Sequence, residues 1–369
     1  MNDKHYLEGI KSTGFGLEFS ISKSLMREGW TVINNKYYID DVQGAAREID
    51  ILAYKVTIKN EILVYTCLII SCKKSRENSW ALLAKEKNEN DPNIDWNPVT
   101  LWANHKILKL MIENYDWKDK YINSSPMLYE KLFSPMKHIF AFQELSQKKG
   151  TPQNDKAIFN SIVSSMKSQD YEMGSLDKRK KQKSIYNFNL ISVVDAPLLR
   201  INYGDDGPSI ENIESDIYVG SYIINKKETI SRVHFVKHDI FDSCLSIYDQ
   251  LHLHNIDQSE VIFNSYYIDC LKERKKVDLF IDEFNSSLRL DIYKILRGLR
   301  RDQISEVKDV RLEWNPIKNC VAITVDSVYE ESELNVLNSN NEIKIAVAAA
   351  LKKIYKYDGE FYFDSEIPF

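Results

Sequence analysis

The pattern of apolar and polar positions between residues 46 and 73 predicts two β-strands joined by a short turn. Residues 46–54 and 61–73 are rich in β-branched and aromatic side chains, and turn-forming residues lie between them at Lys59 and Asn60. Strands that are this close in sequence pair as an antiparallel hairpin. We therefore expect both runs to lie side by side in one sheet.

The segment before these strands has a helical period instead. Leu17, Ile21 and Leu25 recur at intervals of four residues and form one apolar stripe. Gly29 follows as a typical C-terminal stop. The pattern predicts an amphipathic helix over 16–28 that packs on the sheet.

The two predicted strands carry polar groups near the ends of their apolar runs. Residues two apart share a face of a strand, so Glu48 lies with Asp50, and Ser71 lies with Lys73, while Cys72 turns to the apolar side. If the strands pair, a carboxylate and a lysine meet at the edge of an apolar sheet. A charge there needs a partner or a metal ion. The pattern indicates a metal-dependent hydrolase.

This layout resembles the PD-(D/E)XK, restriction-endonuclease-like nuclease superfamily over roughly residues 10–115. Asp50 resembles its metal-binding aspartate, Lys73 resembles the lysine of the motif, and Glu18 resembles the glutamate that many members carry on the first core helix. Ser71 occupies the position of the second acid, where the family has Asp or Glu and some branches have Gln or Ser.

The resemblance implies phosphodiester cleavage with Mg²⁺ or Mn²⁺, which prefer oxygen ligands. The implied ligands are Asp50, Glu18 and the backbone carbonyl of Cys72. Lys73 would orient the attacking water and balance phosphate charge. The Ser71 hydroxyl is a poorer ligand than a carboxylate. The implied catalytic set is therefore Asp50, Lys73, Glu18 and Ser71.

The serine leaves several alternatives open. Another acid completes the site, for which Glu48, Glu77 and Glu86 are candidates. A second alternative is that the Asp and Lys form only an ion pair at a sheet edge. A third is that the fold is kept and catalysis is lost, which leaves a module that binds nucleic acid or a partner protein.

The resemblance implies a restriction-endonuclease-like mixed sheet flanked by helices, and the rest of the chain predicts an α/β fold with an α+β C-terminal region. We expect a nuclease domain over 1–175 and a second region over 185–369 that completes or extends the fold. The period predicts helices over 98–115, 154–173, 239–253 and 341–355, strands over 185–199, 216–224 and 230–237, and a hairpin over 310–324.

Charge restricts where a nucleic acid can bind. The net charge is −5, so any nucleic-acid surface must be local or completed by a partner. The candidates for phosphate contact are Lys74 and the run Lys178, Arg179, Lys180 and Lys181. A basic run is also common in a solvated linker or helix end.

Composition supports a cytoplasmic protein. The five cysteines are odd in number and show no paired metal spacing, which suits a reducing compartment. No apolar run reaches the length of a membrane span. The resemblance favours DNA over RNA as the nucleic acid and a setting in bacterial defence. A protein partner and a homodimer are further expectations.

Overall fold

A computed structural model describes residues 3–11, 13–40, 44–300, 307, 309–326, 328 and 330–365. The chain forms two compact units, Met1–Glu260 and Val261–Phe369. The division between the units therefore lies after Glu260 rather than between 175 and 185. The physical reason is that the strand that begins at Ser184 pairs along its whole length with a strand of the N-terminal region, so the main sheet needs both segments.

The first unit mixes helices and strands throughout. Its elements are α1 (Asp3–Lys11), α2 (Phe15–Arg27), β1 (Thr31–Ile39), β2 (Ala46–Lys59), β3 (Ile62–Lys74), β4 (Asn78–Lys85), β5 (Thr100–Ala103), α3 (Lys106–Asn114), α4 (Lys118–Asn123), α5 (Pro126–Leu128), β6 (His138–Ser146), α6 (Lys156–Arg179), β7 (Ser184–Asp195), β8 (Leu198–Gly204), β9 (Gly207–Ile213), β10 (Ser215–Ile224), β11 (Lys227–Lys237) and α7 (Phe241–Ser265), whose last residues belong to the second unit.

The second unit has an α+β composition. It contains α8 (Arg274–Asp278), α9 (Ile281–Arg300), β12 (Val310–Asn315), β13 (Cys320–Val325), α10 (Glu331–Ser339), α11 (Asn341–Tyr355) and β14 (Phe361–Asp364). The strands form one sheet in the order β12–β13–β14. The predicted hairpin over 310–324 and helix over 341–355 are confirmed.

The main sheet of the first unit is mixed. Its strand order is β1–β2–β3–β7–β11–β10, with β5 beside the first half of β7. The strands β1, β2 and β3 are antiparallel neighbours, whereas β3, β7 and β11 run parallel. The carboxyl ends of those three parallel strands therefore meet at one edge of the sheet.

Each face of the main sheet is covered by a separate apolar layer. One face packs against α2, α4 and α7, which bury side chains such as Leu17, Ile21 and Leu251. The other face packs against α6 and a second sheet of order β6–β4–β8–β9, including Ile162 and Trp80. The predicted sheet with flanking helices is thus present as a mixed α/β architecture.

The hairpin and the first core helix agree with the sequence pattern. The helix predicted over 16–28 spans Phe15–Arg27, and the two predicted strands are β2 and β3. The turn between them has positive φ at Asn60 (50°) and Glu61 (63°), as a two-residue hairpin turn requires.

The helix predicted over 98–115 is wrong in its first half. Thr100–Ala103 forms strand β5, and the helix begins only at Lys106. The strand form is stabilised by pairing with β7 and by contact of the Trp102 ring with Tyr186, whose centroid lies 5.6 Å away. These partners are distant in sequence, so the local apolar period could not reveal them.

Candidate active site

The candidate site lies where β2 and β3 separate. Their ladder ends at the pair Ile51–Ile70. Beyond it, β3 continues beside β7 as far as Lys74, and β2 continues beside β1 down to Ala46. Asp50 is the first residue of β2 past the point of separation, so its side chain can enter the gap between the strands.

Three donors converge on one oxygen of the Asp50 carboxylate. Oδ2 accepts hydrogen bonds from the backbone N–H of Cys72 at 2.7 Å, from Lys73 Nζ at 3.0 Å and from Ser71 Oγ at 3.2 Å. Lys73 Nζ also donates to the carbonyl of Cys72 at 3.3 Å. The hydrogen bonds of Asp50 in the described part of the chain all use Oδ2, which leaves Oδ1 for another ligand.

Helix α2 brings a second carboxylate to this place. Glu18 lies in the first turn of α2 and is half-buried. Its pKa is raised above the ordinary value, first by burial and then by the negative charges of Asp50 and Glu48, while Lys73 opposes the shift. The structure thus brings Asp50 and Lys73 into contact, and Glu18 lies near enough for the charges of both to act on its pKa. Repulsion between these carboxylates would be relieved by a bound cation.

The oxygen donors suit a hard divalent ion that keeps several of its own waters. They are the Asp50 carboxylate, the Glu18 carboxylate and the Cys72 carbonyl. Within the described ranges, no three His, Cys, Asp or Glu side chains are grouped so as to hold a metal ion. The oxygen donors near Asp50 are of the chemical type that Mg²⁺ and Mn²⁺ prefer.

The three candidates for a replacement acid lie in different surroundings. Glu48 is exposed, accepts a hydrogen bond from Asn35 and acts on the pKa of Glu18. Glu86 forms an ion pair with Lys137 next to the second sheet. Glu77 is exposed just before β4. Of the three, Glu48 is the one whose charge acts on the site.

The side chains of Ser71 and Cys72 are both buried, with 4% and 5% of their surface exposed. Cys72 packs in the apolar layer under α2. Burial, and then the charges of Asp50 and Glu18, raise the pKa of its thiol well above the ordinary value. The thiol is therefore a poor nucleophile, and Cys72 serves the site through its backbone.

The basic run at 178–181 lies far from this site. Lys180 Nζ donates to the Tyr65 hydroxyl at 3.0 Å, and Arg179 pairs with the buried carboxylate of Glu172. Tyr65 precedes Lys73 by eight residues on β3, a distance of about 26 Å along a strand. The run therefore does not join the candidate site, and two of its four cations stabilise the fold. Lys178 and Lys181 are exposed.

A cleft that the sequence did not reveal lies at the carboxyl ends of β3, β7 and β11. It has a volume of 390 Å³, and its lining includes Lys74, Arg76, Lys237 and His238. Lys74 pairs with Asp195 at 2.7 Å, and Lys237 pairs with Asp239 at 2.9 Å. The sequence signal for this cleft was a lysine at the end of each of two apolar strands. That signal becomes informative only once the strands are known to lie in parallel on either side of β7.

The cleft adjoins the helix that carries Glu18. His238 Nε2 lies 3.2 Å from Ser20 Oγ of α2, and Lys74 directly follows Lys73 on β3. The side chain of Arg76 donates to the backbone carbonyl of Lys11 at 2.8 Å. The cleft and the Asp50 cluster thus share the same edge of the sheet.

Comparisons with protein-family models, with curated proteins and with solved structures found no match to this chain. In the described part of the chain, no helix combines the length and the apolar character that crossing a membrane would require.

Proposed function

We propose that this protein is a divalent-metal-dependent nuclease with a restriction-endonuclease-like core. The observation that supports this best is the surroundings of Asp50 at the point where β2 and β3 separate. One carboxylate oxygen is held by Lys73 and the Cys72 backbone, and a second carboxylate comes from α2. The proposed fold is supported by α2, which precedes the hairpin, and by the mixed sheet with helices on its faces.

The residues of the site suit phosphodiester hydrolysis. A divalent cation, when bound, polarises the phosphoryl oxygen and acidifies a water. Asp50, Glu18 and the Cys72 carbonyl would hold it. Lys73, fixed between Asp50 and that carbonyl, presents a compact positive charge to the phosphate.

The proposed substrate is nucleic acid, with DNA favoured over RNA. Ligands of open α/β sheets bind outside the carboxyl ends of the parallel strands. The cleft with Lys74, Arg76, Lys237 and His238 lies at that edge and supplies cations beside the Asp50 cluster. The phosphate backbone next to the cleaved bond would pass through it.

The second candidate function is a nuclease-like module that has lost catalysis and binds nucleic acid or a partner protein. Two observations favour it. Ser71 stands where the resemblance asks for an acid, and its hydroxyl is directed to Asp50 Oδ2. In addition, no group of three acids or other metal-binding side chains is found among the described residues.

A cleavage assay with matched variants distinguishes the nuclease from the binding module. Purified protein is incubated with duplex DNA, single-stranded DNA and RNA in millimolar Mg²⁺ or Mn²⁺. We expect cleavage that Asp50→Asn and Lys73→Ala each reduce by at least about 100-fold. Asp95→Asn and Lys118→Ala, which remove another partly exposed ion pair with an N–O distance of 2.8 Å, should leave the rate unchanged.

Two results would contradict the nuclease proposal. Cleavage that survives in Asp50→Asn would point to a contaminating enzyme or another site. No cleavage of any substrate with either metal, together with binding of nucleic acid, would favour the second candidate function.

A further inference from the structure

Helix α2 is apolar on two opposite sides. The inner stripe of Leu17, Ile21 and Leu25 is buried against the sheet. The outer stripe consists of large side chains that remain mostly exposed: Phe15 at 62%, Phe19 at 72% and Met26 at 55%. At 3.6 residues per turn, the outer three lie within about 40° of one another. A surface helix normally carries polar residues on its outer side.

Helix α1 extends this exposed surface. It contacts α2 and has its own stripe of exposed residues: Tyr6 at 66%, Leu7 at 61% and Ile10 at 57%. We refer to Tyr6, Leu7, Ile10, Phe15, Phe19 and Met26 together as the α1–α2 apolar face. Scattered apolar residues on a surface are ordinary, but six large exposed side chains on two helices in contact indicate an interaction site.

The area of this face matches one side of a stable protein interface. Large aromatic side chains bury 150–250 Å² each. With the exposed fractions above, the six side chains present on the order of 600 Å² of apolar surface. A standard interface buries about 800 Å² per partner, of which about 60% is apolar. The α1–α2 apolar face is therefore large enough to form the centre of such an interface.

The charge composition of the segment that carries this face favours a second copy of the chain as the occupant. Residues 3–28 contain four Lys or Arg and four Asp or Glu, of which Glu18 belongs to the candidate site. A surface for nucleic acid or for an anionic membrane would be basic. Nearly equal numbers of both signs suit a two-fold interface, in which the same surface meets itself and acids of one copy face bases of the other. We propose that the α1–α2 apolar face is the interface of a homodimer.

The molar mass of the protein in solution tests the proposed homodimer directly and does not depend on nuclease activity. Sedimentation velocity and light scattering on the full chain, at micromolar concentrations, should give twice the 43.1 kDa of one chain. Phe19→Asp places a charge at the centre of the face and should give the monomer mass. Phe15→Asp, on the same stripe, is a second variant in case the first does not fold. Circular dichroism establishes folding in each case.

A matched control replaces an equally exposed apolar residue elsewhere. Ile210 on β9 is 70% exposed, and Ile210→Asp should keep the dimer mass. A monomeric wild-type protein up to about 100 µM would overturn the proposal, since that concentration corresponds to a free energy of association weaker than about 5.5 kcal/mol. A dimer that both folded aspartate variants retain would overturn it as well, because the interface would then lie elsewhere.

Discussion

The hydrogen bonds to Asp50 fix the orientation of its carboxylate before any ligand binds. Oδ2 is held by Ser71, Cys72 and Lys73, so Oδ1 is directed away from β3. A ligand that is already oriented loses little entropy when a metal ion binds. Ser71 is thus a positioning residue for Asp50 in this structure, in place of the second acid that the resemblance leads one to expect.

Replacement of Ser71 tests whether the site accepts a cation. Ser71→Glu would place a third carboxylate in a buried position near Asp50 and Glu18. Without a divalent cation, we expect the free energy of unfolding to fall by about 3 kcal/mol, because a buried charge without a partner is costly. Added Mn²⁺ should raise the melting temperature of this variant more than that of the wild type, since binding stabilises the folded state. Thermal denaturation with and without metal measures both.

The control for this prediction is Ser165→Glu on α6. Ser165 is 3% exposed, so the substitution should destabilise the fold in the same way, but with no response to Mn²⁺. An equal response of both variants to metal, or no response of Ser71→Glu, would argue against a cation at the Asp50 cluster.

At the scale of elements, local pattern was informative where neighbours in sequence are also neighbours in space. The period of Leu17, Ile21 and Leu25 predicted α2, and alternation with a two-residue turn predicted β2 and β3. The proximity of Asp50 and Lys73 followed from that hairpin. The approach of Glu18 came only from the resemblance, because the packing of α2 on the sheet is a long-range contact.

The structural features that the sequence did not predict all depend on pairing between distant segments of the chain. The partner of β3 on its other side is β7, more than one hundred residues later. That pairing moves the division of the chain to Glu260, converts the start of the predicted helix over 98–115 into β5, and brings Lys74 near Lys237. Local pattern in a single sequence does not show which distant strands pair, so it could not predict any of these.

A histidine buried under α7, His234, predicts how stability depends on pH. His234 lies on β11 with its Nδ1 atom 3.0 Å from the Tyr248 hydroxyl. Burial, and then the charge of Arg232, lower its pKa from 6.5 to about 3. The unfolded chain therefore binds one more proton at this site between pH 6.5 and 3. The contribution of His234 to stability is complete above pH 6.5 and is lost as the pH falls through that window.

Urea denaturation at several pH values checks this. The free energy of unfolding should fall below pH 6.5, and His234→Asn should reduce the slope by up to about 1.4 kcal/mol per pH unit, the value for one proton. The two proteins should respond alike between pH 7 and 8. An unchanged slope in the acid range would mean that His234 is not kept neutral by the fold.

At the scale of the whole molecule, cations are distributed unevenly over an acidic protein. With a net charge of −5, long-range attraction cannot bring a nucleic acid to this surface. Binding must rest on a few cations near the Asp50 cluster. In the cleft, Lys74 and Lys237 are paired with carboxylates, whereas Arg76 contacts only a backbone carbonyl among its described partners. The charge of Arg76 is thus the least compensated of the three.

Salt dependence of binding distinguishes this cleft from the basic run on α6. For a protein that contacts few phosphates, a plot of log affinity for duplex DNA against log salt should have a slope between about −1 and −3. Arg76→Ala should weaken binding and reduce that slope by about 1. Lys181→Ala removes an exposed lysine from the distant run and should change neither. Fluorescence anisotropy measures binding without cleavage, either in Ca²⁺, which occupies oxygen sites, or with Asp50→Asn.

The opposite result would contradict this prediction. If Lys181→Ala reduces the salt dependence of binding and Arg76→Ala does not, the nucleic acid binds at the other end of the sheet, about 26 Å from Lys73. The Asp50 cluster could not then reach the bound phosphates, and the nuclease proposal would fail together with the cleft.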